Sequence, residues 1–144
     1  MDRSPAHEAA RLAACRLPAL NASLALLGQN TAAATLAFYG TTRPTPGDPP
    51  GDDPLVILTL SASAGTVNDS LFQLQLTVPI EAQITGADPV TGTVAVWARV
   101  TDGSGAWWGD ASVSDEAGSG EIKLQTTLLY NGAFCRLTSA IFQG

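Results

Sequence analysis

The residue types that most often do chemistry are thinly spread along this chain. Its one histidine, His7, stands in what reads as the first turn of a helix, where a solvent-exposed side chain is expected. General acid–base catalysis needs a base held beside a nucleophile, or paired acids whose pKa values are pushed apart. No such set is legible. Asp48, Asp52 and Asp53 could offer oxygens to calcium, but the prolines among them spoil a regular ligand spacing. Asp115 and Glu116 lie in "SDEAGSGE", which reads as a solvated turn. The two cysteines, Cys15 and Cys135, lack CxxC spacing and stand beside a single histidine, so they do not make a zinc site. Two buried reduced thiols are expected, with a disulfide only if the helix carrying Cys15 docks beside the last strand. GxSxG, Walker A, HExxH and GxGxxG are all missing. The sequence therefore predicts no catalytic, cofactor-binding or metal-binding residues, and no enzyme.

The stretch with binding potential is "VAVWARVTDGSGAWWGDASV", Val94 to Val113, which sets three tryptophans and an arginine around a glycine-rich turn. Pairing Thr101 with Ala106 predicts a hairpin with Val94, Val96, Val100, Trp107, Ala111 and Val113 on an inward apolar face. The outward face would then pair Arg99 with Trp108 and Trp97 with Asp110. A one-residue slip would exchange the two faces. The outward rings admit three readings: a flat platform for a sugar or aromatic ligand, a surface covered by the chain's own helix or proline loop, or a contact for another protein. Tryptophan and arginine are enriched where interfaces concentrate their binding energy.

Behind these residues stand elements that must position them. Residues 4–28 read as a helix. Ser4, Pro5 and Glu8 resemble a capped start, and Gly28 is a reasonable stop. Ala10, Ala13, Leu17, Leu20, Leu24 and Leu27 recur at steps of three and four and make one apolar stripe. Pro18 removes a hydrogen bond from the interior and predicts a kink or a second helix beginning there. "ATLAFYG" reads as a strand. "TTRPTPGDPPGDDP", residues 41–54, holds five prolines and reads as an extended arm or loop. From Leu55 onward every segment reads as strand. "LVILTLS" looks fully buried, and "LFQLQLTVPI" alternates with Phe72, Leu74, Leu76, Val78 and Ile80 on one face. "YNGA" carries an Asn-Gly turn joining the last two strands. The expected fold is mainly β, an antiparallel β-sandwich or barrel over residues 31–144, preceded by an N-terminal helical segment over 1–30.

Composition narrows the partners. The chain has 144 residues, of which 14% are charged, a low fraction for a free-standing domain, and its net charge is −6. A single lysine and a pI near 4.4 exclude the clustered positive charge that nucleic acid or an anionic membrane requires. "RLPALNASLALLG" is interrupted by Asn21 and Ser23 and preceded by Glu8, so a secretory segment is not expected, and an intracellular product is the default.

The helix, the strand and loop "FYGTTRPTPGD", and "GTVAVWARVTDGSGAWWGDASVSDEAGSGEIKLQTTLLYNGAFCRLTSAIF" together resemble small structural proteins of tailed bacteriophages and prophages. Leu36, Tyr39, Gly40, Thr41 or Thr42, Arg43 and Pro44 carry the first part of the likeness. Gly92, Thr93, Trp97, Arg99, Thr101, Asp102 and Gly103 carry the second. "GDASVSDEAGSG" keeps a loose trace of a second glycine element, and Pro18 departs from the helix. The resemblance spans about residues 10–142. It implies a virion component without enzymatic activity, most specifically a capsid decoration or cement protein, with a tail or baseplate subunit as the alternative. A carbohydrate-binding module of a fibre is an alternative of another class. The partners implied are the major capsid protein or other virion proteins, and further copies of the chain in a symmetric oligomer. The expected contact residues are Trp97, Arg99 and Trp108, then Leu17, Leu20 and Leu24 of the helix stripe, and Arg43 and Pro44 of the loop.

Overall fold

A computed structural model describes residues 3–144. One helix, α1 (Pro5–Gly28), leads into eleven strands among the described residues. These are β1 (Thr35–Tyr39), β2 (Val56–Thr59), β3 (Gly65–Asn68), β4 (Gln73–Leu76), β5 (Ile80–Gln83), β6 (Thr93–Val94), β7 (Trp97–Thr101), β8 (Trp107–Asp115), β9 (Ile122–Leu124), β10 (Leu128–Leu129) and β11 (Phe134–Gln143). The fold is mainly β with an N-terminal helix, as its patterning predicts.

Ser4 caps α1. Its backbone is extended and its Oγ accepts from the His7 N–H at 3.2 Å, with Pro5 at the first position and Glu8 in the first turn. The helix runs unbroken through Pro18, in place of the expected kink or second start. Pro18 and Ala14, whose carbonyl loses its N–H partner to the proline ring, both lie on the exposed side, where water can satisfy that oxygen. Only the second half of the stripe docks. Leu20 and Leu27 are buried, Ala13, Leu17 and Leu24 are half-buried, and Ala10 is exposed. The docked half packs against β3 and β4, and the Arg16 guanidinium sits 5.2 Å above the Phe72 ring.

The strands form one curled sheet in the order β2-β1-β7-β8-β9-β11-β4-β3, with β5 also paired to the long β11. Curling brings the β2 edge against β5. The Leu55 carbonyl at the start of β2 accepts from the N–H groups of Thr85 (3.1 Å) and Gly86 (2.9 Å), just beyond β5. The backbones meet so closely there that a Cβ at Gly86 would collide with the Pro54 carbonyl. β6 and β10 make a separate two-stranded ribbon. Leu36, Phe38, Leu58, Leu74, Val100, Ile122, Leu124 and Leu137 join Leu20 and Leu27 of the helix in one continuous core.

Four local expectations are corrected. β8 and β9 pair in parallel within an otherwise antiparallel sheet. β2 is a sheet edge that alternates buried and exposed, with Ile57 51% exposed, and is not buried on both faces. "LFQLQLTVPI" divides into β4 and β5 at Thr77–Pro79, which leaves Val78 exposed. The Asn-Gly turn forms, with Gly132 at φ +90° and the Ala133 N–H bonded to the Tyr130 carbonyl at 3.1 Å. Its flanking strands nevertheless do not pair with each other: β10 bonds to β6, and β11 to β9, β5 and β4. Residues 41–54 contain neither helix nor strand, as five prolines dictate.

Candidate functional site

The tryptophan hairpin forms between β7 and β8, but in a different register from the expected one. Arg99 lies opposite Asp110, Ala98 opposite Ala111 and Trp97 opposite Ser112, and a bulge follows in which Thr101 meets Trp107 while Val100 meets Gly109. Trp108 is the extra residue. A bulge of one residue reverses the alternation beyond it, so the faces of the two adjacent tryptophans are exchanged. Trp107 joins Trp97 and Arg99 on the outer side, and Trp108 turns inward against the core. A second irregularity at Ala95–Val96 breaks the expected inward row. Ala95 and Ala98 are buried, whereas Val94 and Val96 are 52% and 48% exposed.

The outer cluster is built around an ion pair. Arg99 Nε donates to Asp110 Oδ1 at 2.7 Å and Arg99 Nη2 to Asp110 Oδ2 at 2.8 Å, a two-pronged fit of a planar guanidinium to a planar carboxylate. Both side chains are nearly buried, at 10% and 6% exposure. The same Oδ1 accepts from Trp107 Nε1 at 3.1 Å. The guanidinium carbon lies 5.6 Å from the Trp97 ring centre and 6.0 Å from that of Trp107. Trp97 in turn stacks on Tyr39 across the β1–β7 pair, with centres 4.4 Å apart and planes 15° from parallel. The hydrogen bonds that Arg99 donates to the Asp110 carboxylate raise the Arg99 pKa. Burial raises that of the Tyr39 hydroxyl, and the neighbouring Arg99 charge opposes the shift.

The proline loop lies over this cluster. A Cβ at Gly47 would stand 4.0 Å from the edge of the Trp107 ring, and the charges of Asp48 and Asp53 are felt at Arg99 and Tyr39 respectively. Trp97 is left 1% exposed. On the other side of the hairpin α1 covers Trp108, whose Nε1 donates to the Ser23 carbonyl at 2.9 Å and whose ring meets Phe142 edge-on at 5.4 Å. The helix thus covers Trp108, while Tyr39 and Arg99 pack against the ring of Trp97. Of the three readings of the rings, cover by the chain itself describes Trp97 and Trp108.

The expected contact residues are dispersed by this arrangement. Trp97, Arg99 and Leu20 are buried inside the fold, and Trp108, Leu17, Leu24 and Pro44 are half-buried under neighbouring elements. Arg43 alone of the set is exposed. Cys135 is buried as expected, and desolvation pushes its thiol up to about 11. Cys15 is exposed rather than buried, and both thiols are free.

Two surfaces that sequence reasoning missed are open instead. One is the outer side of the β6–β10 ribbon. Val94 lies opposite Leu128, and Gly92, at φ +73°, lies against the side chains of Leu128 and Tyr130. Val94, Val96, Leu128 and Tyr130 are 52%, 48%, 37% and 38% exposed. The alternation of Val94, Val96 and their neighbours carries the signal, but alternation alone predicts an inward row. The other is a groove of about 420 Å3 between α1 and the β7–β8 turn, lined by Ser23, Leu26, Asp102, Ala106, Trp107 and Trp108.

Among the described residues no group of three or more histidine, cysteine or acidic side chains is placed to hold a metal ion, and no helix is long and apolar enough to cross a membrane. No family model, curated protein or solved structure matches the chain. The likeness to phage structural proteins therefore stands on the sequence motifs alone.

Proposed function

We propose that this chain is a structural subunit working through protein–protein contacts, most specifically a capsid decoration or cement protein that binds the major capsid protein of a virion. The observation that carries an assembly role is the apolar outer side of the β6–β10 ribbon. Opposed residues of an antiparallel pair point to the same face, so Val94 and Leu128 stand side by side, with Tyr130 beside them across Gly92. Contiguous apolar surface of this kind marks contact sites more often than singly scattered apolar residues do. The low charge of the chain and the acidic balance of what charge it has agree with a life against other protein. The virion setting comes from the resemblance of the Leu36–Pro44 and Gly92–Gly103 motifs to phage structural proteins.

The test is occupancy. Purified chain is added to particles lacking it, and bound copies are counted by gel densitometry and located by electron microscopy. Regular density on the head supports the reading. Density confined to the tail assigns the chain to the alternative tail or baseplate position, and no binding to any particle refutes a virion role. V94E combined with L128E should keep the thermal melt of the wild type, because both side chains already face solvent, and should lower occupancy at least tenfold. Wild-type occupancy by that double variant would remove the ribbon from the interface.

A further inference from the structure

We infer that the groove between α1 and the β7–β8 turn is a binding site for the ammonium or guanidinium head of an organic cation. The inference rests on the groove alone and is independent of any assembly role.

The lining decides the ligand class. Both indole N–H groups are already committed inside the protein, Trp108 Nε1 to the Ser23 carbonyl at 2.9 Å and Trp107 Nε1 to Asp110 Oδ1 at 3.1 Å. What the rings offer a ligand is therefore their electron-rich faces. The same bonds fix their orientation, so little freedom is lost when a ligand arrives. Trp107 remains 47% exposed, as does Leu26 at 49% on the facing helix. The charged group in the lining is Asp102. Its Oδ1 is saturated by the Ser104 N–H (2.8 Å), the Ser104 hydroxyl (2.6 Å) and the Ala106 N–H (3.0 Å). Its Oδ2 receives no donor among the described residues, and the bonds to Oδ1 lower the pKa of the carboxyl, which keeps it ionised. Ser23 gives its own hydroxyl proton to the Ala19 carbonyl at 3.0 Å, so its oxygen too can only accept.

The groove thus presents aromatic faces, acceptors and a negative charge, and no free side-chain donor. An anion is repelled. A sugar, which ordinarily needs donors as well as acceptors, is half-served. A cation gains from every feature: attraction to the ring faces, a charge-assisted bond to Asp102 Oδ2, and apolar contact with Leu26 for the carbon chain behind the charge. Arg99, 6.0 Å from the Trp107 ring centre, does not compete, because it is paired with Asp110 and does not line the groove. A volume of about 420 Å3 falls within the range of small-ligand sites.

The experiment follows the three indole N–H signals of the full chain by NMR during titration with choline and, separately, with its neutral isostere 3,3-dimethylbutanol. Choline should shift Trp107 and Trp108 saturably in the millimolar range and leave the buried Trp97 in place. The isostere should bind at least fivefold more weakly. D102N keeps an acceptor for the turn and loses the charge, and should weaken choline severalfold; W107L should abolish the response. Should W107L fail to fold, the isostere comparison and D102N still decide. Equal binding of choline and the isostere, no shift with choline, or tighter binding of methyl glucoside would each overturn the proposal. A capped arginine or lysine peptide binding more tightly than choline or ethylguanidine would identify a protein side chain as the source of the cation, and the reverse order a free amine.

Discussion

Replacing Arg99 by methionine should be among the most damaging single changes outside the apolar core. Methionine keeps much of the length and apolar stem of arginine, so packing on the Trp97 and Trp107 rings is partly retained. What is lost is the charge. Among the described residues, Asp110, at 6% exposure, would be left with the Trp107 N–H as its one remaining side-chain donor. Removing one partner of a buried pair typically costs about 3–5 kcal/mol, mostly because the survivor is an uncompensated buried charge. For a chain of this size that corresponds to a fall of about 10–15 °C in Tm. D110N should cost a comparable amount by stranding the guanidinium. The double variant R99M/D110N strands no charge, so its loss should be smaller than the sum of the singles by about 2–3 kcal/mol. Urea unfolding followed by tryptophan fluorescence reads all four proteins in one assay, because two of the three rings touch the pair. If R99M lay within about 1 kcal/mol of the wild type, or if the two singles added, the buried and bidentate character assigned to the pair would be refuted.

Alkaline pH should destabilise the chain through Cys135. Its thiol has a folded pKa raised by burial to about 11, so the stability tied to it is complete below the ordinary thiol range and is lost as pH rises through that value. The loss should amount to about 2–3 kcal/mol, should be removed by C135A, and adds to a loss of the same sign from the buried Tyr39 hydroxyl. In the native state a thiol reagent at neutral pH should label one cysteine per chain, Cys15, and in denaturant two. W108F should cost about 1–1.5 kcal/mol by removing the bond to the Ser23 carbonyl, and hydrogen exchange should show faster opening of residues 19–28 than of the sheet. G103A and G109A should diverge. A Cβ at Gly103 would collide with the Ala32 carbonyl, whereas nothing lies within 4 Å of one at Gly109, so thermal melts should show a large loss for the first and a near-neutral effect for the second.

The parts of this fold that were legible are those settled by neighbours in sequence. Ser4, Pro5 and Glu8 define a helix start because a capping hydroxyl, a fixed φ and an acid near the positive end of the helix dipole all act within one turn. The prolines of 41–54 exclude a ladder wherever the loop lies. Strand order was not legible. β10 follows β9 and precedes β11, yet bonds to β6, because the partner is chosen by the curl that brings Ala95 to Thr127 and Leu55 to Gly86. Pro18 misled for a related reason. Its penalty is local, but the helix is held by Leu20, Leu24 and Leu27, which dock on the C-terminal side of it.

The hairpin register differs from the expected one by two residues along β8, and the sequence holds the means to correct it. In the expected register Arg99 faces Trp108 and Trp97 faces Asp110. Sliding β8 by two residues keeps the faces of β7 and β8 and brings Arg99 opposite Asp110, the pairing of opposite charges that cross-strand neighbours favour. That slide leaves two extra residues: one falls on the Trp107–Trp108 step, where the bulge lies, and the other lengthens the turn, so that Thr101 meets Trp107 rather than Ala106. Which of two adjacent tryptophans turns inward cannot follow from alternation, since either satisfies an apolar site. It follows from two distant partners. The Ser23 carbonyl on the helix waits for the indole N–H of Trp108, and Asp110, already gripping Arg99, has an oxygen to receive that of Trp107. Both rings line the groove beside α1, so the bulge that shifts the register also shapes the proposed cation site.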